Sequence, residues 1–559
     1  MLITLSPSLA NLALAFQSTE YFWLAMLGLT LIATLSQGNL IKGLIGGLFG
    51  LFLSMIGVAV IGGDVRFTGG STILLGGVDI IAALIGLYCI PVLIGMVAHD
   101  SQHLEPAPSR GFRLFEAIGI ALRDWINLLR SSIIGTLVGI LPGAGGSIAS
   151  LIAYAEARRA SPRGDNFGKG EPGGVLATES ANNATVGGGF IPTLVLGIPG
   201  TPPDAVIMGA LMVQGIRVGP SLFESSDGTV YVFMTGLLVA TVLMLPIGLI
   251  IGRYAFRFIA NVPKAMLVPL IGFMTIVGSY AIHSNPHDVL VMVVMGIIGW
   301  LAARAGFGAS PIVLGLVLGQ IAEQGFMRAW MIGGARGDFM GQLLFNRPIS
   351  WGIVAMILLT LCLPLIRRAR HRRAALVPAG GGGATETAAE ADAEAVALPA
   401  GRATPPAARR IDAAGMAGAL AFAALGGWIV LSARGLTMLA SAFPLVVGAA
   451  MLGLGIFQAI RSWRGISGAV TLETAGVEGT TRGLVLAVTM LGWALLFPRL
   501  GMATTALIGC AILTATGQFG ALTGRRLALY GAAIIAMVAF FYLMMVRVLN
   551  IPMPAALLF

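Results

Sequence analysis

Residues 139–159 read GILPGAGGSIASLIAYAEARR, and residues 187–211 read GGGFIPTLVLGIPGTPPDAVIMGAL. Each places a Pro-Gly pair and additional glycines inside an apolar segment, where a helix tolerates them least. Proline in a helix interior removes a backbone hydrogen bond and clashes with the preceding turn, at about 3 kcal/mol. The meaning of the two breaks depends on the solvent around them.

The composition identifies that solvent. Of the 559 residues, 57% are hydrophobic and 10% charged, and the mean hydropathy is +0.91, whereas a soluble domain is about 25% charged. Apolar runs near the ~20 residues that a bilayer helix needs occur at 21–36, 40–62, 78–97, 229–252, 266–283, 287–303, 309–325 and 349–366. Two more apolar regions, 131–156 and 184–216, are the interrupted ones. A soluble enzyme would not supply so many such runs. The expectation is an all-α polytopic integral membrane protein of about 12–14 membrane segments, two of them Pro-Gly-broken or re-entrant.

A low-complexity stretch, PAGGGGATETAAEADAEAVALPAGRATPPAARR at 378–410, follows the basic cluster of Arg367, Arg368, Arg370, Arg372 and Arg373. It reads as a flexible linker over 374–410 between a permease-like module, 1–373, and a second membrane module, 411–559. The second module has apolar runs at 415–433, 439–460, 483–498, 500–517 and 528–547, and FPRLG at 497–501 reads as either a turn or a kink.

Lysine and arginine in short loops place 98–130, 253–264 and 367–410 on the cytoplasmic side, and HSNPH at 283–287 outside. Since 229–252 crosses once, 131–156 and 184–216 together cross an odd number of times. A re-entrant 131–156 with a crossing in 184–216 fits the charges best. The first twenty residues hold no Lys or Arg, so no cleavable signal peptide is expected.

Several function classes drop out. The net charge of +10 is concentrated in a membrane-anchor position, which argues against a nucleic-acid partner. Cys89, Cys362 and Cys510 are far apart within apolar runs and read as packing residues. The i, i+4 pair His283 and His287 lies in a proline-containing loop and is not read as a metal site. No phosphate-binding Gly-Lys-Ser/Thr loop indicates an ATPase, and no catalytic pair falls inside the spans. The chain reads as no enzyme, and transport would run on a gradient.

In hydrocarbon, a broken helix survives only where it is buried in protein or lines a wet cavity. At such a break one half-helix ends in free carbonyls that attract cations, and the next begins with free N–H groups that attract anions. Gly145, Gly146 and Ser147 follow Pro142-Gly143, and Thr201 follows Pro199-Gly200, which is the layout of a gradient-driven carrier of an anion together with a cation. Asn182 and Asn183, in TESANNATVGGG, offer donors and acceptors for a carboxylate or an ion shell, and otherwise cap a helix. Asp204 reads as a cap near a half-helix start rather than a proton carrier.

These motifs, with YFWLAMLGLTLIATLSQGNLIKGLIGGLFG at 21–50 and ESANNATVGGGFIPTLVLGIPGTP at 179–202, resemble the large membrane subunit of the tripartite tricarboxylate transporters, the TctA family. The resemblance runs from about residue 15 to 366 and includes RFTGG at 66–70, FGKGEPGGVLA at 167–177, SPIVLGLVLG at 310–319 and FNRPIS at 345–350. The stretches SAFPLVVGAAMLGLGIFQAIRSWRG and LFPRLGMATTALIGCAILTATGQFGALTGRR resemble the TctB-type small membrane subunit, so the chain resembles a fusion of the two.

The resemblance implies a multi-pass protein of the bacterial inner membrane, embedded in membrane lipid. It implies uptake of a carboxylate substrate delivered by a periplasmic solute-binding protein of TctC type, with no cofactor beyond a coupling cation, sodium. By carry-over the site residues are Pro142, Gly143, Gly145, Gly146, Ser147, Asn182, Asn183, Pro199, Gly200 and Thr201. Family members carry a further block ahead of YFWLAMLGLTL with its own LPG and Pro-Gly-Thr-Pro segments. The reading here therefore expects the first repeat to be missing, with a separate N-terminal permease half or a homo-oligomer as a partner. A non-transporting assembly subunit is the alternative.

Overall fold

The computed structural model describes residues 17–35, 39–98, 114–140, 145–216, 218–219, 221–224, 228–338, 347–374, 412–465, 477–519 and 523–553. Pro142, Gly143 and all but the first residue of the expected linker lie outside them. Among the described residues, eight helices are long and apolar enough to cross a bilayer, and five shorter apolar helices accompany them. The fold is all-α and polytopic, as expected.

The order is α1 (Ser18–Leu35), α2 (Leu40–Ser54), a two-stranded hairpin of β1 (Gly57–Val58) and β2 (Val65–Arg66), α3 (Ile80–Ala98), α4 (Leu114–Arg123), α5 (Trp125–Ile140), α6 (Gly145–Ala160), α7 (Pro172–Leu196), α8 (Pro202–Val213) and α9 (Ser221–Glu224). Then follow α10 (Thr229–Asn261), α11 (Lys264–His283), α12 (Pro286–Arg304), α13 (Ala309–Arg336) and α14 (Pro348–Ala374). Beyond 411 come α15 (Ala413–Ala433), α16 (Met438–Trp463), α17 (Val477–Leu500), α18 (Met502–Gly517) and α19 (Gly524–Leu543).

Local chemistry sets many of these ends. Pro172 opens α7 behind an extended Glu171, as the fixed proline φ favours. Asn285 caps α12, its side chain accepting from His287 N, with Pro286 behind it. Asp412 caps α15 by accepting from Gly415 N.

Three expected boundaries move. The run 40–62 is helical only to Ser54, because the chain then turns into the β1–β2 hairpin. Hydropathy read straight through the hairpin since its residues are apolar. The run 309–325 is part of a 28-residue helix that continues to Arg336 and ends on left-handed Gly337. FPRLG is a turn: α17 ends at Leu500, and Gly501, with φ +77°, hands over to α18.

Two hydrophobic cores organise the helices. The first gathers α1, α2 and α13 with α15 and α16, through residues such as Phe49, Leu51, Phe307, Leu318, Phe443 and Met451. The second gathers α11 and α12 with α17 and α18, through Phe273, Val289, Met490, Trp493 and Leu513. Helix α3 belongs to both, with Leu87 in one and Ile90 in the other.

Lipid tails are as apolar as leucine, so helices in a bilayer associate through close packing of small residues. Gly50 of α2 lies against the backbone of Ile312 and Gly315 on α13, and Gly86 of α3 against that of Met292 on α12. A Cβ at either glycine would collide with a carbonyl.

The helices after the linker are joined to those before it. Lys42 on α2, nearly buried, pairs with Asp412 at 3.0 Å, donates to Ala305 O at 2.8 Å and lies over the Phe307 ring. Arg66 on β2 makes a two-pronged pair with Glu323 on α13 at 2.6 and 3.1 Å, both side chains buried, and donates to Ala440 O on α16 at 3.3 Å. Thr437 donates to Asp64, and Phe422 stacks edge-on against Phe307.

Candidate functional site

Helices α5 and α6 are in contact, separated in sequence by residues 141–144, and α7 packs against both. Small residues allow the approach. Gly135 meets Ala181, Gly139 meets Thr185 and Gly188 meets Thr136, each so closely that a Cβ on the glycine would strike backbone. At the other end, Asn127 on α5 donates to Gly173 O on α7 at 3.0 Å, and Ser131 donates to Asn127 Oδ1 at 3.3 Å. Helix α5 is thereby held along α7 at both ends.

Helix α7 ends at Leu196 with left-handed Gly197, φ +69°. Pro192 lies inside its last turns, and Thr193 donates to Gly189 O at 2.6 Å. The chain then runs through Ile198, Pro199 and Gly200, all buried, to Thr201, which precedes α8. Gly200 folds back onto α7 and the end of α5. A Cβ built there would sit 2.9 Å from Gly189 Cα, 3.1 Å from Gly139 O and 3.2 Å from Asp204 Oδ2.

The two interrupted motifs therefore meet. The carbonyl of Gly139, in the last turn of α5, lies beside the α7–α8 break, and Gly146, in the first turn of α6, lies against the amide oxygen of Asn182 on α7. The last turn of α5 thus lies beside the C-terminus of α7 and the N-terminus of α8, and the N-terminus of α6 lies against α7 at Asn182, seven residues before Gly189.

The expected residues are placed as follows. Gly145 (φ +61°), Gly146 and Ser147 begin α6. Pro199, Gly200 and Thr201 form the second break. Both asparagines are exposed; Asn182 reaches the first motif, and Asn183 donates to Glu179 O at 3.0 Å within its own helix. Neither asparagine caps a helix, because α7 starts ten residues before Asn182, at Pro172.

Asp204 stands where a helix cap does, hydrogen-bonded by the Thr201 side chain and backbone at the start of α8. It is 1% exposed, in the first turn of α8, and accepts a 2.8 Å hydrogen bond from Thr201 Oγ1. Gly189 is the α7 residue its carboxylate faces, and a Cβ there would collide with Oδ2. A buried carboxylate, a hydroxyl and the Gly139 carbonyl provide hard oxygen donors around one point. At the other break the α6 N-terminus and the Asn182 amide are suited to a carboxylate. Asn182→Ala is expected to raise the KM for substrate uptake about tenfold, near the ~1.4 kcal/mol of one hydrogen bond to a charged group. An unchanged KM in an uptake assay would remove Asn182 from the site.

Fold and site together define a multi-pass membrane protein in which the last turn of α5, at Gly139, touches the break between α7 and α8 at Gly200. The chain belongs to the tripartite tricarboxylate transporter TctA family, a transporter family whose model matches residues 1–314. It is similar to an uncharacterized 52.8 kDa protein in the TAR-I ttuC' 3' region of Agrobacterium vitis, 33% identical over 374 residues, covering 67% of this chain and 73% of that protein. A second protein of the same organism, uncharacterized and in the TAR-II ttuC' 3' region, is 35% identical over 240 residues, 43% of this chain and 97% of that protein. No solved structure matches the chain.

Proposed function

We propose that the chain is the membrane permease component of a tripartite tricarboxylate transporter in the bacterial inner membrane. It takes up di- or tricarboxylates, received from a periplasmic binding protein, on a sodium gradient. The observation that carries the reading is the convergence of Gly139, Gly146, Asn182, Gly200 and Asp204 at two helix breaks. The substrate carboxylate takes the α6 N-terminus beside Asn182. The coupling cation takes the oxygens of Asp204, Thr201 and Gly139.

Further support comes from Glu179, Asn182 and Asn183. They are exposed polar residues along a helix whose other faces are buried, and polar side chains at membrane depth face water-filled paths or partners rather than lipid. In the same reading residues 411–559 are a TctB-type subunit fused through the linker, and the Lys42–Asp412 and Arg66–Ala440 contacts make the two parts one permease.

Uptake of labelled di- and tricarboxylates into vesicles tests this, with and without a sodium gradient and the neighbouring binding protein. Sodium-dependent accumulation is expected, and Asp204→Asn, which keeps the shape and removes the charge, is expected to abolish its dependence on sodium concentration. Accumulation insensitive to sodium in the unaltered chain would overturn the coupling, and no accumulation with every partner present would overturn the transport reading.

A further inference from the structure

At the end of the bundle where α3 and α12 begin and α11 finishes, three side chains from separate elements face one another. Asp79 directly precedes α3, His283 is the last residue of α11 and Asp288 lies in the first turn of α12. His283 Nδ1 is 3.1 Å from Asp288 Oδ2 and 3.8 Å from Asp79 Oδ2. One ligand atom from each of the three falls within 4.8 Å of the others.

We propose that Asp79, His283 and Asp288 form a binding site for a divalent transition-metal ion of the zinc class. The division of labour within each carboxylate points that way. Asp79 Oδ1 accepts from Ala82 N at 2.7 Å and so caps α3, and Asp288 Oδ1 accepts from Asn285 Nδ2 at 3.2 Å. The oxygen left over on each, Oδ2, is the one turned toward the imidazole. Ser279 Oγ donates to Asp288 O at 3.0 Å and fixes that turn from α11.

The donor set is one nitrogen and two carboxylate oxygens, already oriented by outer hydrogen bonds, as metal ligands are. Zinc bonds of about 2.0–2.1 Å in tetrahedral geometry hold ligand atoms roughly 3.4 Å apart. The two distances above bracket that value, so closure needs shifts of well under an ångström on those edges. An imidazole donor favours zinc-class ions over magnesium, which selects oxygen. His283 is 40% exposed in its side chain, leaving an entry path and a fourth position for water or for His287. The bound ion would join α3, α11 and α12. This site is independent of the transport reading.

The test is zinc titration of the purified full-length chain in detergent, without a histidine tag, in a Cys89→Ser, Cys362→Ser, Cys510→Ser background. One equivalent bound by calorimetry is expected, with a raised unfolding midpoint. His283→Ala and Asp79→Asn are each expected to weaken binding at least 100-fold. Asparagine caps helices as well as aspartate does, so Asp79→Asn leaves the α3 start intact and separates lost binding from misfolding. No stoichiometric binding, or binding unaltered in both variants, would overturn the site; the second result would place the ion elsewhere, and the first would leave the imidazole as a hydrogen-bond partner only.

Discussion

Gly200→Leu is expected to reduce uptake at least about 100-fold, some 2.7 kcal/mol of lost stabilisation, while leaving membrane insertion and yield unchanged. The glycine is needed for space and not for backbone freedom, since its φ is not among the positive ones. A Cβ at this position enters a gap bounded by Gly189 Cα at 2.9 Å, Gly139 O at 3.1 Å and Asp204 Oδ2 at 3.2 Å. Larger branches push the α7–α8 break away from the end of α5 and separate the oxygens proposed to hold the cation. The rest of the contact between α5 and α7, through Gly135, Ala181 and Asn127, is remote from the change. Uptake and size-exclusion profiles measured on the same preparations decide it: wild-type uptake would dissociate the two breaks, and aggregated protein would show that the contact is needed for folding instead. Gly143, expected from sequence to behave like Gly200, lies outside the described residues.

The second large effect concerns Arg66 and Glu323. Removing one member of a buried ion pair strands the other charge, at about 3–5 kcal/mol. Both side chains here are at most 2% exposed. Glu323→Ala is therefore expected to destabilise the chain by that amount in reversible unfolding from detergent. The double variant Arg66→Met, Glu323→Met is expected to be more stable than either single change, because two apolar side chains of similar volume leave no buried charge. A cost below about 1 kcal/mol for Glu323→Ala would mean that the Ala440 carbonyl, together with water, compensates the guanidinium without the carboxylate.

Much of this was legible in the sequence because it is local. A Pro-Gly pair in an apolar run reports a break wherever the run lies, and hydropathy reports the solvent, so the break between α7 and α8 and the membrane class could both be read from the chain. That the motifs meet was not legible from spacing, since the contacts are between Gly139 and Gly200 and between Gly146 and Asn182, across helix crossings. The asparagines illustrate a further limit. A polar cluster ahead of an apolar run looks like a cap, yet Pro172 starts the helix earlier and places Asn182 and Asn183 on its middle turns, one facing α6 and the other outward.

The charged pairs were hidden for the same reason. Arg66 and Glu323 are 257 residues apart, and nothing in the periodicity of either segment names the other. His283 was visible beside His287, but its nearer carboxylates come from Asp79 and Asp288 on two other helices. Pairwise spacing along one segment tests only that segment, and here the partner arrives from two hundred residues upstream.

The Lys42–Asp412 pair also sets a timetable. Asp412 is 370 residues downstream of Lys42, and ribosomes add about 5–20 residues per second, so the ammonium is made roughly 20–70 s before its counter-charge. Lys42 stands in the first turn of α2, so until Asp412 is made its ammonium lacks its counter-charge, and the Ala305 carbonyl is itself 263 residues downstream. During that interval α2 can already pack on α13 through Gly50, Ile312 and Gly315, while the charge at its start is unmatched. Synthesis of Asp412 then completes the Lys42 contact, and a chain stopped before it would keep α2 packed on α13 with an ammonium at its start that lacks its counter-charge.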